Sequence, residues 1–362
     1  MAKREKQYFS ISQISCFRGC KQEWAYKYKE GLKSKAPQRP LYMGTTLHKL
    51  LEIRANGQSW ESHLCNVIKP EFEAMPTDYQ SILGEDFIDC CYKIMTQYDW
   101  LYDKEDIKYL ATEVKIDAKI KGSKRFVGVV DAIVEIDGDQ YIMEHKTFKT
   151  TKMSLEQTWL NAQTCLYIKV LNDMGWNIKG VVWDMIKTSA PKPPRILKNG
   201  QFGKQYADQT LMSFEWAGVY MPGLPKDVYE EIKDNHKNFL DRYITPILPS
   251  VVAAVWQDFV DSVDDIGKNK HTPKNLGRDC EWCAFKDLCQ AELTGGDVDY
   301  IKQLYYTTAE QRDKELFEEF KKTEVCRECQ TFVENTYETI PDFELCRLHC
   351  DKYKNYKEEK KK

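Results

Sequence analysis

The sequence predicts an α/β fold, a sheet carried between helical segments. Three observations lead there. The apolar period changes from helical to alternating near Val114 and returns to helical at Leu155. Asp137-Gly138-Asp139 supplies a tight hairpin turn between two alternating runs. One strong helical run then separates this meander from a further apolar, β-branched run, which places strands and helices in one core.

The elements follow in order. Ser10 and Ser12 precede Ile11, Ile14, Phe17 and Trp24 at helical spacing, with Ser12 the expected N-cap. Residues 33–40, KSKAPQRP, read as a basic loop. A second helix begins near Tyr42 and carries MGTTLHKLLEIRA. Residues 59–108 read as mostly helical, with Trp60, Leu64, Val67, Ile88, Tyr92 and Met95 spaced for one face. ATEVKIDAKIKG, RFVGVVDAIVEI and QYIMEHKTF are three successive strands. LEQTWLNAQTCLYIKVLNDMG reads as one helix stopped near Gly175, and IKGVVWDMIKT as another strand. SAPKPPRILKNGQFGKQ, residues 189–205, is a basic Pro/Gly-rich excursion, a loop or a short hairpin. Residues 225–265 read as helical, 270–289 as a cysteine-bearing loop and 297–323 as a charged helical stretch, before a solvated KEEKKK end.

Composition narrows the classes. The 362 residues suffice for one large domain or two ordinary ones, and 42% apolar with 30% charged residues is an ordinary globular balance. No apolar run approaches the roughly 20 residues that span a bilayer, and MAKREKQYFSIS has no apolar signal core. The expectation is a cytoplasmic protein with no membrane partner. Lys plus Arg is 53 against 56 for Asp plus Glu, so a globally basic nucleic-acid footprint is absent, although a local groove can still be positive. No GxGxxG or P-loop is present, so no ATPase motor is encoded.

The chemistry concentrates in Gly128-Val-Val-Asp131 and Glu144-His145-Lys146. Glu144 and Lys146 lie two apart on one strand, so their side chains share a face. Two carboxylates and a lysine interrupt otherwise apolar strands, and burying them is costly unless they bind a cation or one another. Hard oxygen donors suit Mg²⁺ or Mn²⁺, which would polarise a phosphate and lower the pKa of a bound water, with Lys146 beside it. A structural Asp–Lys or Glu–Lys ion pair on a sheet face is the alternative reading of the same spacing.

At these residues the sequence resembles the PD-(D/E)XK nuclease superfamily, whose core is G-x-x-D followed by E-x-K. Ser10-Ile-Ser12-Gln-Ile14 through Cys20 and Trp24 looks like the N-terminal motif of its RecB-like members. Gly44-Thr-Thr-Leu-His48 looks like their G-x-x-x-H motif, and Gln163-Thr-Cys-Leu-Tyr167 like their Q-x-x-x-Y motif, all in the family's order. Val130 replaces the nominal proline, and Lys21 stands where a proline usually follows the first cysteine. The resemblance implies a restriction-endonuclease-like core with a central mixed β-sheet, a helical insertion and an Fe–S-stapled C-terminal region. It implies His48, Asp131, Glu144 and the backbone carbonyl of His145 as metal ligands. Lys146 would be the catalytic lysine, and Gln163 and Tyr167 would line the active site. Glu113, on the neighbouring strand, is a further residue that could face the site.

Thirteen cysteines are many for a reducing compartment, where clusters point to metal rather than disulfides. Cys280-Glu-Trp-Cys283-Ala-Phe-Lys-Asp-Leu-Cys289 offers three thiolates and needs a fourth ligand. The spacing resembles the iron–sulfur branch of the same nucleases, which includes AddB-type and CRISPR-associated adaptation nucleases. That resemblance implies a [4Fe–4S] cluster with Cys20 as fourth ligand and Cys16 as runner-up; zinc on the same four is the alternative. Cys326, Cys329, Cys346 and Cys350, with His349, have zinc-ribbon-like spacing, with a helical tail of reduced cysteines as the preferred reading. Cys65, Cys90, Cys91 and Cys165 read as buried apolar residues.

The expected layout is an N-terminal motif and helical region (1–108), a nuclease core (109–224), a helical region with the Fe–S cysteines (225–295) and a charged tail (296–362). Lys33, Lys35, Arg39, Lys192, Arg195, Lys198 and Lys204 are candidate phosphate contacts, and Tyr26, Tyr28 and Tyr42 candidate stacking rings. The expected function is exonucleolytic hydrolysis of DNA ends or single strands in recombination, replication or repair, in a bacterial or bacteriophage setting. A helicase or recombination protein on another chain is the expected partner. An endonuclease on the same core, or a non-cleaving Fe–S DNA-binding subunit, are the alternatives.

Overall fold

The computed structural model describes residues 6–150, 154–158, 161–220, 223–327, 347 and 350–360. Contacts divide the chain into two compact units. The first comprises Met1–Ser15 and Pro37–Asn269, the second Cys16–Ala36 and Lys270–Lys362. The described strands are β1 (Gln7–Phe9), β2 (Lys33–Ser34), β3 (Lys108–Lys121), β4 (Lys124–Ile136), β5 (Asp139–Phe148), β6 (Ile178–Lys187), β7 (Leu240–Pro246) and β8 (Tyr306–Thr307).

In the first unit six strands form one mixed sheet, ordered β1-β4-β5-β6-β7 with β3 also on β4. β1 runs parallel to β4 and β5 parallel to β6; the other pairs are antiparallel. α1 (Ile11–Gly19) begins in this unit, and its long helices are α2 (Arg39–Ala55), α3 (Phe87–Tyr102), α4 (Ala162–Asp173) and α5 (Pro249–Lys268). Leu166 and Val170 of α4 and Phe259 and Val263 of α5 bury one sheet face against Phe126, Val130 and Trp183. Leu47 and Leu50 of α2 and Ile94 and Met95 of α3 pack with Ile186 and Leu240 on the other.

Two features of β4 open the sheet at one point. β1 pairs only with Lys124–Phe126 and β5 only with Ala132–Ile136, so the edge between them is unpaired and ends at Asp131. Val130 and Ile133 also share one apolar cluster while Ala132 and Val134 share another, so the in-out alternation slips by one at Asp131. Glu113 lies across from it on β3, between the pairs Thr112↔Ala132 and Val114↔Val130, at φ 48°. A non-glycine residue at positive φ inside a strand breaks the regular alternation at that point. The β4–β5 turn has Asp137 at φ 51° and Gly138 at φ 83°, the twist that a two-residue hairpin demands.

Several elements differ from the sequence reading. The α1 cap is Ser10, whose Oγ accepts from Gln13 N at 3.2 Å, rather than Ser12, which lies inside the helix. The single helix over 155–175 is two segments, Leu155–Thr158 and α4, because Asn161 caps α4 through Oδ1, accepting from Thr164 N at 3.2 Å. The helical stretch 225–265 contains an edge strand, β7; Asp241 and Arg242 interrupt its apolar pattern and hide it from a period count. Val67 and Tyr92 are exposed; the buried face of α3 is Phe87, Cys90, Cys91, Ile94, Met95 and Tyr98. Cys65 is exposed, whereas Cys90, Cys91 and Cys165 are buried.

The second unit holds β2, paired antiparallel with β8, and the helices α6 (Lys286–Thr294), α7 (Val298–Tyr305), α8 (Ala309–Lys321) and α9 (Asp351–Glu359). Tyr26, Leu32, Phe285, Leu288 and Tyr306 form one small core. Phe317, Phe320, Cys326 and Tyr353 form another. Tyr26 is thus a core residue and not an exposed stacking ring. No helix among the described residues is long and apolar enough to cross a membrane.

Candidate active site

The side chains are delivered by four elements, α2, β4, β5 and α4. Glu144 and Lys146 leave β5 on the α4 face, where Lys146 Nζ donates to Glu144 Oε1 at 2.7 Å. Gln163, in the first turn of α4, donates from Nε2 to the same oxygen at 3.0 Å and accepts from Lys146 Nζ at 3.2 Å. Gln163 Nε2 also lies 3.2 Å from the Tyr167 hydroxyl one turn on. The Tyr167 ring lies over β4 because Gly128 has no side chain there: a Cβ would stand 2.6 Å from Tyr167 Cε1. The glycine of G-x-x-D thus makes room for the tyrosine of Q-x-x-x-Y.

Asp131 reaches across the gap in the sheet. Its Oδ2 accepts from the His145 amide at 2.9 Å, and its Oδ1 lies 3.4 Å from His48 Nδ1. His48 comes from α2, which approaches β5 at Gly44, where an added Cβ would meet Thr147 Oγ1 at 3.3 Å. The structure therefore brings His48, Asp131, Glu144, Lys146, Gln163 and Tyr167 together, with the His145 backbone between the two acids.

The electrostatics set the two carboxylates apart. Burial alone would raise Asp131, but the His48 hydrogen bond, the His48 and His145 charges and the His145 amide hold it below the ordinary aspartate range. Glu144, 2% exposed, is pushed up by burial and then by the Asp131 charge, against the pull of Lys146. Burial would lower His48, but the hydrogen bond and charge of Asp131 and the charge of Glu144 raise it. Tyr167 is pushed up to about 12, by burial and then by Glu144. Glu113 is half-buried at the same place and raised by burial, Asp131 and Glu52.

Among the described residues, no three His, Cys, Asp or Glu side chains already stand in a metal-ligating arrangement. The donor chemistry nonetheless fits a hard cation. Glu144 Oε2 is fully buried with no hydrogen-bond partner, beside a second carboxylate. A buried anionic oxygen without a partner is costly, and a divalent cation satisfies it.

Cys20, Cys280, Cys283 and Cys289 all fall in the second unit, with Cys16, and all five are free thiols. Asn275 Nδ2 donates to Gly19 O at 2.8 Å, which brings the segment before Cys20 beside the loop before Cys280. Cys283 is pushed up to about 11, by burial first, with the neighbouring Cys20 and Cys280 adding to it. Cys289 is raised by burial and by the same two thiols. Cys16 reaches about 12, by burial and then Glu23, with Cys20 and Cys283 contributing. Burial is the first cause in all three, and the smaller contributions from neighbouring thiols show that these cysteines lie near one another. Of the C-terminal set, Cys326 is buried and Cys350 half-buried around Phe317 and Tyr353. Cys329, Cys346 and His349 lie outside the described residues.

Among the expected phosphate contacts, Arg39 is bound to both Asp86 oxygens at 2.8 and 3.0 Å, Lys192 to Asp208 at 2.8 Å, and Lys35 to Gln303 O at 2.6 Å. Arg195 and Lys198 are exposed on the excursion, which closes through an Ile196↔Phe202 bridge, and Lys204 follows it. The sequence reading missed Asp184 and Arg242, which lie behind His145. The signal was present: VVWDMIK puts a carboxylate in an apolar strand, as VVDAIV does.

No curated protein matches the chain by sequence. The crystal structure of SSO0001 aligns with 80% of this chain and 88% of its own, at 12% identity and a TM-score of 0.33. The family model of the PD-(D/E)XK nuclease superfamily matches residues 8–290, a span that contains Asp131, Glu144 and Lys146 and the cysteines from Cys16 to Cys289. The chain belongs to the PD-(D/E)XK nuclease superfamily, the metal-dependent nucleases.

Proposed function

We propose that the protein is a Mg²⁺- or Mn²⁺-dependent deoxyribonuclease that digests DNA from ends or along single strands. The observation that carries this reading is Glu144: one carboxylate oxygen is held by Lys146 and Gln163, and the other is buried beside Asp131 with no partner. His48, Asp131, Glu144 and the His145 carbonyl would hold the cation, which supplies Lewis-acid polarisation of the phosphate and a more acidic water. Lys146 keeps a cationic donor beside Glu144, placed to orient the attacking water and to offset charge growing on the phosphorus oxygens. Gln163 holds Lys146 and Glu144 in one geometry, and Tyr167 closes that side of the site.

The cysteine set of the second unit is read as a [4Fe–4S] cluster on Cys20, Cys280, Cys283 and Cys289, with a structural role. It would join Cys20 to a loop more than 250 residues on, and such long-loop crosslinks stabilise most. Recombination, replication or repair, beside a helicase or recombination protein, is the setting this activity suits.

The test is a time course on 5′- and 3′-labelled linear oligonucleotides and on closed circular single strands, with Mn²⁺ and with chelator. Metal-dependent loss of the linear strands with intact circles is expected; cut circles would make the enzyme an endonuclease. Lys146→Ala should slow cleavage by about a hundredfold or more while leaving the fold and DNA binding in place. Undiminished digestion by that variant overturns the mechanism. For the cluster, a brown protein whose visible absorbance disappears in Cys283→Ser is expected; colourless protein with stoichiometric zinc decides for the alternative.

A further inference from the structure

Behind the active site lies a buried polar group that the proposed mechanism does not use. Asp184 on β6 is fully buried and pairs in register with His145 of β5. Its Oδ2 accepts from His145 Nδ1 at 2.7 Å and from the Tyr98 hydroxyl at 2.7 Å. Its Oδ1 accepts from Arg242 Nε at 3.1 Å and Nη2 at 2.9 Å. Arg242 Nη2 also donates to the Tyr98 hydroxyl at 2.5 Å, and its Nη1 pairs with Glu105. The guanidinium stacks on Tyr102, 3.8 Å from the ring centroid. Every polar atom of the Asp184 carboxylate is thus occupied, and none of these groups faces the Glu144–Lys146 side of the strand.

Such a buried cluster is an expensive way to stabilise a sheet, since well-packed apolar residues of similar volume usually do as well or better. What it does that apolar residues cannot is fix one imidazole. With Asp184 accepting at Nδ1, the His145 ring has one orientation and carries its proton on that nitrogen. His145 is also the residue between Glu144 and Lys146. Its amide donates to Asp131 Oδ2 at 2.9 Å, and its ring stands nearly perpendicular to that of His48, centroids 5.7 Å apart. One clamped side chain therefore sets the rotation of β5 where Glu144 and Lys146 are mounted and where Asp131 of β4 is held by the His145 amide.

We infer that Asp184, held by Tyr98 and Arg242, is a positioning residue for the catalytic centre: it locks His145 and through it the carboxylates that bind the cation. This rests on the metal-dependent reading above. Outer groups that orient a metal site typically affect its affinity by about ten- to a hundredfold when removed.

The experiment is Mn²⁺ binding, by titration calorimetry and by the loss of the free Mn²⁺ electron-spin resonance signal, well below the unfolding temperature of each variant. Asp184→Asn should weaken Mn²⁺ binding by about tenfold or more. His145→Phe, which keeps the backbone but has no Nδ1, should weaken it similarly, and the double variant should be no weaker than the worse single one. Should Asp184→Asn fail to fold, because it leaves Arg242 buried and poorly paired, Tyr98→Phe removes one hydrogen bond to Asp184 and the Arg242 contact to the same hydroxyl, and should give a smaller loss in the same direction. A merely structural role predicts lower thermal stability with wild-type Mn²⁺ affinity in the folded protein, and that result overturns the inference. Wild-type protein that binds no Mn²⁺ at all would instead overturn the metal-dependent reading itself.

Discussion

At the scale of single residues, the site works by giving like-charged groups unlike surroundings. Asp131 has an amide and an imidazole and is held ionised, whereas Glu144 is buried against that charge and pushed toward its neutral form. The sign of the pH dependence follows. A raised carboxylate is favoured neutral in the fold, so ionising Glu144 costs the metal-free protein stability as pH rises past the ordinary glutamate range. A bound cation removes that cost, so the gain in Tm on adding Mn²⁺ should grow as pH rises above the ordinary glutamate range. At a hundredfold excess over Kd the gain corresponds to about 2.7 kcal/mol. Differential scanning calorimetry at several pH values checks this; an equal gain at every pH contradicts the assignment of Glu144. Asp184 acts oppositely: Arg242, His145 and Tyr98 outweigh burial and hold it well below the ordinary range. Its contribution is present above that range and declines as pH falls below it toward its own, depressed titration.

At the scale of elements, one close approach, one helix cap and one open strand edge set the site's dimensions. α4 can place Gln163 and Tyr167 over β4 only while residue 128 lacks a Cβ. Gly128→Ala forces the Tyr167 ring away, and a loss of about 1–3 kcal/mol is expected in urea unfolding. Cleavage should fall too, because Gln163 shares its contacts with Tyr167 and Glu144. The start of α4 matters for the same reason. Asn161 caps it two residues before Gln163, and Asn161→Ala should lose about 1 kcal/mol of stability. An unchanged urea midpoint would show that the first turn is held by packing and not by its cap. The β4 edge left open between β1 and β5 is the third element-scale device, since a fully paired edge would give Asp131 no space to turn toward His145.

At the scale of the whole molecule, the two units rest on different supports. The first has large apolar clusters on both sheet faces. The second is assembled from chain segments far apart in sequence around two small cores. A unit with so little apolar burial is where a metal crosslink would contribute most. Removal of iron by chelation under reducing conditions should therefore lower the melting of the second unit and leave that of the first nearly unchanged. Calorimetry resolves this, and a protein whose melting ignores chelation argues against a structural cluster.

Local pattern was enough for much of this. The strands of the meander, their Asp-Gly turn, the segment carrying His48 and the pairing of Glu144 with Lys146 on one face all follow from spacing within a few residues, where backbone geometry dictates direction. Tertiary structure alone decided the rest. β7 and its Arg242 have meaning only beside Asp184, and Asn161 interrupts a helical period that would otherwise run through it. The slip at Asp131 exists because β1 and β5 share one edge of β4. These features depend on partners distant along the chain, and a buried charge in a strand does not by itself reveal whether it faces a cation, a histidine or an arginine.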